Sequence, residues 1–230
     1  MPSFVYVTDV FCPWCFGFAP VMQRLVERHS FPVRVLCGNL VDNPSQTSTM
    51  NSPRLLAFFR RLSDTTGREI GEGFFRLMEE EHSVLMDSSR SALLMAALKK
   101  LAPGHALEQM EAFQDAFYCD GRDVLSPAVQ ALVAARWGVS AADLEQALAS
   151  EAVRDKAQRE MDEAEEILGD FVVYPTLFVK TDDGELHAVA RGYAPFEDVE
   201  AKIAAALASG ASVTGVSAGA CGLDGTCCLS

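Results

Sequence analysis

The sequence is short of basic residues. It has 19 lysines and arginines against 32 aspartates and glutamates, which gives a formal net charge of −13. Proteins that bind phosphate backbones or anionic membranes usually present a basic face, so this balance predicts neither nucleic acid nor a membrane as a partner. No apolar run reaches the roughly 18 residues that a bilayer-spanning helix needs. With 49% hydrophobic residues in 230, the chain can bury a substantial core.

The N-terminus lacks the features of a secretory signal. Met1-Pro2-Ser3-Phe4 runs directly into an apolar segment, without a charged n-region or a small-residue cleavage site. We therefore expect a cytoplasmic protein. The four histidines have no metal-ligand spacing, and the glycine-rich stretch 67–73 (GREIGEG) lacks the strand and the lysine of a phosphate loop. Neither a metal site nor a nucleotide site is predicted from these residues.

Seven cysteines are present, an odd number that does not favour a disulfide framework in a chain of this size. Two of them, Cys12 and Cys15, lie close together in the stretch 9–18 (DVFCPWCFGF). This spacing is typical either of a redox centre or of half a zinc site, and structural zinc needs four nitrogen or sulfur ligands. No second pair of this spacing exists, so the pattern favours redox chemistry. Cys37 and Cys119 are interpreted as packing residues.

Hydrophobic periodicity predicts a parallel β-α-β unit at the start of the chain. Apolar, β-branched runs at 3–10 and 32–38 flank a helix that has Cys12 at its N-cap and Pro13 in its first turn. From 44 to 168 the apolar residues repeat with helical spacing, and no segment has convincing strand character. We expect this segment to be an all-helical insertion.

Strand character returns in the last quarter of the sequence. An Asp-Gly turn joins runs at 171–180 and 185–190, which predicts an antiparallel hairpin, and a final helix ends near Gly210. The predicted segments are 1–43 and 169–210 for the two parts of one α/β fold, 44–168 for the helical insertion, and 211–230 for a flexible tail.

The outer elements, β-α-β and then β-β-α, occur in the order of the thioredoxin fold. Two motifs lie at the ends of its strands, and they are Cys12-Pro13-Trp14-Cys15 and Tyr174-Pro175-Thr176. Together they resemble the DsbA-like thioredoxin superfamily, and within it the FrnE-type branch, whose members carry a CPWC motif and a helical insertion. The segment 113–124 (FQDAFYCDGRDV) is similar to a stretch of that branch. The resemblance covers roughly residues 3–207.

The resemblance implies a thiol–disulfide oxidoreductase. Unpaired N–H groups and the dipole at a helix N-terminus stabilise a thiolate, so Cys12 is the predicted nucleophile and Cys15 the resolving thiol. By the resemblance, Pro175 is a cis-proline that faces this pair; the alternative is a proline that merely starts a strand. The predicted substrate-binding residues are Pro13, Trp14, Tyr174 and Thr176. The family's usual Gly-Val before Pro-Thr is replaced here by Val-Tyr, which changes the shape of the substrate site.

Two further features have more than one interpretation. Asp9, at the end of the first strand, can relay the proton that Cys15 loses, or it can be a plain strand-end acid that binds the helix N-terminus. In the tail, Cys221 can form an auxiliary dithiol with Cys227 or Cys228 that reaches the active site. The same three sulfurs can instead bind a soft metal or be incidental thiols.

The predicted function is exchange of disulfides with protein or small-molecule thiols. It needs no tightly bound cofactor, and in a reducing compartment we expect recycling by glutathione as a co-substrate or by a thioredoxin-type protein. One alternative is the glutathione-dependent transferase or isomerase branch of the same fold, which typically replaces the cysteine pair with a serine-containing motif. Another is a soft-metal-binding or chaperone-like module. The direction of exchange, oxidase, reductase or isomerase, and the existence of a homodimer stay open.

Overall fold

The computed structural model describes residues 1–79 and 82–209. The predicted tail lies outside these ranges, and so do Cys221, Cys227 and Cys228. The strands are β1 (Ser3–Thr8), β2 (Val33–Cys37), β3 (Ser45–Gln46), β4 (Leu85–Met86), β5 (Thr176–Lys180) and β6 (Leu186–Arg191). The helices are α1 (Pro13–His29), α2 (Pro53–Thr66), α3 (Glu72–Leu77), α4 (Ser88–Leu101), α5 (Ala106–Tyr118), α6 (Pro127–Ala134), α7 (Ala141–Ala149), α8 (Glu151–Leu168) and α9 (Phe196–Ser209).

The four-stranded sheet has the order β2-β1-β5-β6. Strand β1 pairs in parallel with β2 and antiparallel with β5, so that Tyr6 lies between Val35 and Leu177. Strands β5 and β6 form the predicted antiparallel hairpin. The parallel pair requires a crossover, which α1 supplies. This arrangement confirms the prediction of a thioredoxin fold with a helical insertion.

The two faces of the sheet pack against different helices. Because side chains alternate along a strand, Phe4 and Tyr6 of β1 face the large core formed with α1 and the insertion. Val5 and Val7 point to the opposite side, into a smaller core with Leu168 and its neighbours on α8. The central strand β1 is thus buried on both faces, which fixes its end, and the residues that follow it, in the middle of the molecule.

Local sequence signals set the ends of the helices. The Ser52 hydroxyl accepts the N–H of Leu55 at the start of α2, and Pro53 occupies the first turn, where its missing N–H costs nothing. At the other end of α2, Gly67 has φ 70°, a conformation that favours glycine. The predicted last helix begins at Phe196, one residue after Pro195.

The insertion contains one detail that periodicity does not predict. Strands β3 and β4 pair over two residues each, as Ser45 with Met86 and Gln46 with Leu85. Thr47 extends this contact, since its N–H binds the carbonyl of Val84 and its hydroxyl binds the carbonyl of Leu77. Two-residue strands are too short to show an alternating pattern, so the sequence gives no sign of them.

The strand predicted at 171–180 begins only at Thr176. The preceding residues form an irregular loop, whose carbonyl at Phe171 accepts a hydrogen bond from Arg191 at 3.0 Å. The Tyr174–Pro175 peptide bond within this loop is cis. Proline cannot donate to a strand ladder, so the strand starts after it. Within the described ranges, the helices include none with the length and apolar character to cross a bilayer.

Candidate active site

Cys12 lies at the N-terminus of α1, directly after the turn that leaves β1. Its backbone is extended, with φ −89° and ψ 112°, and its Sγ accepts the N–H of Cys15 at 3.4 Å. Pro13 occupies the first position of the helix. The sulfur therefore caps the helix and meets N–H groups that have no partner within the helix, which is the environment that stabilises a thiolate.

The same sulfur contacts the far part of the chain. Cys12 Sγ lies 3.7 Å from the carbonyl oxygen of Tyr174, to which the thiol donates, and Tyr174 precedes the cis Pro175. Thr176 is fully buried, and its hydroxyl binds the carbonyl of Val173 at 2.8 Å. The structure thus brings Cys12, Cys15 and the loop around Pro175 together. The Thr176 hydroxyl, in contrast, is bonded within the loop.

Cys15 lies deeper than Cys12 and has no exposed surface. Burial is the largest cause that raises the pKa of its thiol well above the usual value. Two donors oppose this effect, the hydroxyl of Thr8 and the backbone N–H of Asp9. Cys12 and Cys15 are both free thiols in this structure. A buried thiol beside a capping thiol is suited to the second step of disulfide exchange.

Aromatic rings surround the entry to the pair. Trp14 is partly exposed and packs edge-on against Phe58, with ring centroids 5.8 Å apart, and at a tilt against Tyr193 at 6.0 Å. Its indole N–H has no hydrogen-bond partner among the described residues. Pro13 and Phe11 border a cavity of about 390 Å³ between α2 and the segment after β2. Of the described residues that line this cavity, Asp42 alone is charged.

Tyr174 holds the loop around Pro175 against the segment after β2. Its ring covers Gly38, where a Cβ atom would lie only 2.2 Å from the ring carbon Cε1. Its hydroxyl accepts the N–H of Asn39 at 3.0 Å, and partial burial raises its pKa. The side chain is therefore fixed on one side of the site while the carbonyl of the same residue faces Cys12.

Asp9 is buried, and its carboxylate is occupied by backbone donors. One oxygen accepts the N–H of Phe11 at 2.8 Å and the other accepts the N–H of Leu40 at 3.1 Å. Burial is the main cause that raises its pKa. The Asp9 carbonyl also accepts a bond from Gln114 at 3.1 Å. These bonds fix the turn before α1, and the proton-relay role of Asp9 stays a prediction.

Three residues that support the site are missed by sequence reasoning. Gln114 and Tyr118 lie on α5, and the Tyr118 hydroxyl donates to the carbonyl of Phe11 at 2.5 Å. Thr8 ends β1 beside Cys15. The only sequence signal is alternation along β1, which places Thr8 on the face that carries Tyr6. Contacts between α5 and the turn depend on how the insertion docks, which local patterns do not encode.

The remaining described cysteines are poorly suited to exchange. Burial raises the pKa of the Cys37 thiol to about 12 and that of Cys119 to about 11. Among residues 1–79 and 82–209, no group of three or more histidines, cysteines and acids has a geometry that could hold a metal ion. The tail cysteines lie outside these ranges, so their auxiliary role stays a prediction.

A comparison with known protein families finds a match over most of the chain. The family described as DSBA-like thioredoxin domain matches residues 5–203. No curated protein sequence matches the chain.

Several solved structures share the fold. A Nitrosomonas europaea protein, provisionally assigned as a protein disulfide isomerase, superposes with a TM-score of 0.72 at 21% identity, over 89% of this chain and 97% of that one. The cytosolic disulfide reductase DsbM from Pseudomonas aeruginosa, solved with glutathione, has a TM-score of 0.69 at 19% identity, over 88% and 98%. A provisionally assigned DsbA oxidoreductase from Streptomyces coelicolor has a TM-score of 0.69 at 20% identity, over 98% of both chains.

The structures show the fold, and the family match spans the sheet, the cysteine pair and the loop around Pro175. The chain belongs to the family of DsbA-like thioredoxin domains.

Proposed function

We propose that the protein exchanges disulfides with protein or small-molecule thiols through Cys12 and Cys15, as a member of the FrnE-type branch. The observation that carries this proposal is the position of Cys12 Sγ, which caps α1, accepts the Cys15 N–H at 3.4 Å and lies 3.7 Å from the Tyr174 carbonyl. A sulfur held between a helix N-terminus and a backbone carbonyl meets both the donors that stabilise a thiolate and the backbone that orients a substrate strand.

In the reducing direction, the Cys12 thiolate attacks one sulfur of a substrate disulfide. A mixed disulfide forms between Cys12 and that sulfur, and the other substrate sulfur leaves with the bonding electrons and takes up a proton. Cys15 then attacks Cys12 Sγ, the bond to the substrate breaks, and the second substrate thiol is released. The protein ends oxidised as a Cys12–Cys15 disulfide, and the substrate has gained two electrons and two protons. Oxidation of a dithiol substrate is the reverse sequence.

The substrate contacts follow from the surroundings of Cys12. Pro13 and Trp14 form the aromatic and apolar border of the pair, and the Tyr174 carbonyl offers an acceptor to an extended substrate. Pro175 has no N–H to donate, and its carbonyl accepts the N–H of Gly192 at 2.7 Å. Thr176 acts through the loop, because its hydroxyl is bound to Val173.

We further propose glutathione as the co-substrate and the cytoplasm as the location. Both are supported by the likeness to the Pseudomonas aeruginosa protein, which is cytosolic, reduces disulfides and was solved with glutathione. The retention of Cys15 argues against the transferase or isomerase alternative, in which the pair is typically replaced. A metal-binding or chaperone-like module would have to use the tail, and metal content of the purified full chain tests that alternative.

The deciding experiment measures the reduction potential of the Cys12/Cys15 pair in glutathione buffers. The fraction oxidised is read by thiol alkylation and mass spectrometry of the peptide that carries both cysteines. A potential within or below the cytosolic glutathione range of about −220 to −320 mV indicates a reductase, and one near about −120 mV indicates an oxidase. Cys12→Ser and Cys15→Ser should each abolish turnover of a disulfide substrate.

Cys119→Ser is the matched control, since it removes a partly exposed thiol outside the pair. It should leave turnover unchanged. If Cys12→Ser exchanges thiols as fast as the parent protein, the proposed function is wrong.

A further inference from the structure

Thr8 is the last residue of β1, and its side chain is fully buried. Its hydroxyl has no hydrogen-bond partner with good geometry among the described residues. Buried hydroxyls are nearly always bonded, and an unpaired one is costly to keep. In the reduced form, the Thr8 hydroxyl therefore forms no well-aligned hydrogen bond, although it lies close enough to the Cys15 thiol to lower its pKa.

The packing of β1 against α1 places the Thr8 hydroxyl beside Cys15. Tyr6 packs against Phe18, with ring centroids 6.0 Å apart, and Phe18 lies one helical turn after Cys15. Thr8 follows Tyr6 by two residues on the same face of the strand, so it lies opposite the preceding turn of the helix. Accordingly, the neighbours of the Thr8 hydroxyl are the Tyr6 hydroxyl on one side and the Cys15 thiol on the other.

The Tyr6 hydroxyl is the neighbouring group that can orient the Thr8 hydroxyl. Tyr6 is buried, which raises its pKa well above the usual value, so it stays protonated and can donate to the Thr8 oxygen. The Thr8 hydrogen is then free to point at Cys15. The carboxylate of Asp9 does not compete for the Thr8 hydrogen, because its oxygens already accept the N–H groups of Phe11 and Leu40.

We propose that Thr8 stabilises the thiolate of Cys15 during the resolving step, with Tyr6 orienting its hydroxyl. This inference rests on the proposed function and names a residue that acts on the second sulfur. In the step, Cys15 Sγ attacks Cys12 Sγ as its proton is transferred to the departing substrate sulfur. The Cys12–Cys15 bond forms while the bond from Cys12 to the substrate breaks. Thr8 donates to the negative sulfur and keeps its own proton.

Several other titratable groups surround Cys15 and could affect its pH profile. The groups that face Cys15 are Cys12 at the N-cap of α1, Tyr6 on β1, Asp9 in the turn before α1, Tyr118 on α5 and Tyr174 in the loop before β5, and Glu111 faces Tyr6 from α5. Each of them stays in place when Thr8 alone is changed. A shift of the pH profile that is confined to the second phase, with the Cys12 phase unchanged, therefore reports on the Cys15 thiolate.

The test uses full-length protein in which Cys119 and the tail cysteines are replaced by serine. Reaction with excess 5,5′-dithiobis(2-nitrobenzoate) releases one coloured thiolate when Cys12 attacks and a second when Cys15 resolves the mixed disulfide. Only the first phase depends on reagent concentration, so stopped-flow absorbance separates the two steps. Thr8→Val should slow the second phase by about tenfold or more near neutral pH and shift its pH midpoint upward, while the first phase stays within about twofold.

Three variants make the result specific. Thr8→Ser keeps the hydroxyl and should restore the second phase, and Tyr6→Phe should slow it by a smaller factor. Thr47→Val is the matched control, because it removes another fully buried threonine hydroxyl, which binds Leu77 within the insertion. It should leave both phases unchanged.

A Thr8→Val protein with a parental second phase and pH midpoint would overturn the proposal, as would a Thr8→Ser protein as slow as Thr8→Val. If Thr8→Val loses its native circular dichroism, Tyr6→Phe decides, and an unchanged second phase there counts against the role of the hydroxyl pair. The proposed function fails on a separate result, namely a normal first phase in Cys12→Ser.

Discussion

Cys12 joins two parts of the chain that are far apart in sequence. Its sulfur bonds to Cys15 within its own helix and to Tyr174, 162 residues away. The surroundings of the sulfur therefore depend on the position of Tyr174 as well as on the helix N-terminus. That position depends on Gly38, whose missing side chain makes room for the tyrosine ring.

Gly38→Ala should displace Tyr174 and weaken the site. A Cβ atom at this position would meet the ring at 2.2 Å, so the ring must move and its bond to the Asn39 N–H is lost. We expect a loss of about 1–3 kcal/mol in the free energy of unfolding and a slower first attack by Cys12. Urea denaturation and the first phase of the thiol reaction measure the two effects.

The double variant Gly38→Ala/Tyr174→Ala provides the control for this contact. Removing the ring removes the clash, so the double variant should be more stable than the sum of the two single changes predicts. Strict additivity of the three free energies would show that the close approach of Gly38 and Tyr174 does not limit this region.

Glu111 on α5 should make stability fall as pH rises. Its side chain is buried, Gln23 donates to it at 2.6 Å, and burial raises its pKa from 4.5 to about 7. Between these values the folded chain holds a proton that the unfolded chain has released. The contribution of Glu111 to the free energy of unfolding therefore declines as pH rises through this window, by about 3 kcal/mol in total, and changes no further above it.

Glu111→Gln removes this ionisation and keeps an acceptor for Gln23. The variant should show a flatter dependence of unfolding free energy on pH across the window and be more stable than the parent protein above about pH 7. Urea denaturation at a series of pH values measures both. Equal slopes for parent and variant would mean that Glu111 does not titrate in this range.

At the residue scale, the sequence predicts which residues could react better than it predicts which side chains contact them. The cysteine pair, the capping position of Cys12 and the importance of Pro175 follow from short motifs. Thr8 and Gly38 carry no motif, because their roles depend on which side chain lies across from them. Such pairings arise from strand register and helix docking, which are tertiary properties.

At the scale of elements, the glycine-rich stretch before and within α3 has a structural role. Its Gly73 touches the loop that follows α5, where a Cβ atom would lie 2.3 Å from the carbonyl oxygen of Asp120. Across the contact, Gly121 has φ 65° and an equally close approach to Gly73. The segment lacks the strand and the lysine of a phosphate loop, and its glycines instead let two backbones pass in contact.

Gly73→Ala should separate α3 from α5 and destabilise the insertion. Backbone atoms cannot move aside as a flexible side chain can, so we expect a loss of about 1–3 kcal/mol or more in the free energy of unfolding. Glu72→Ala, at the neighbouring exposed position, is the matched control and should change it little. Urea denaturation of both variants measures the difference, and equal stability would contradict the close crossing.

The helices and strands themselves are largely predictable from the sequence. The β-α-β start, the hairpin and the long helix α8 follow from periodicity and turn residues, since their segments are long enough to show a repeat. Strands β3 and β4 are not predictable, because two residues carry no period. The late start of β5 at Thr176 follows from Pro175, which cannot donate a ladder bond, although the apolar run before it favours a strand.

At the scale of the whole molecule, the acidic charge should select among substrates. A net charge of −13 gives a negative potential around the protein, which attracts cationic disulfides and repels anionic ones. The cavity beside Pro13 does not reverse this, because the one charged residue among its described lining residues is Asp42. Raising the salt concentration screens the potential over about 10 Å at 0.1 M and shorter distances beyond it.

Three small disulfides of similar size test this effect. As salt rises from about 20 to about 500 mM, the rate constant for attack by Cys12 should fall for cystamine, which is cationic, and rise for dithiodiglycolate, which is anionic. Hydroxyethyl disulfide is neutral and should respond little, which makes it the control for direct salt effects on the thiol. If all three rate constants change in parallel, then the long-range field of the protein does not steer its substrates, and their selection must arise from contacts with Pro13, Trp14 and Tyr174.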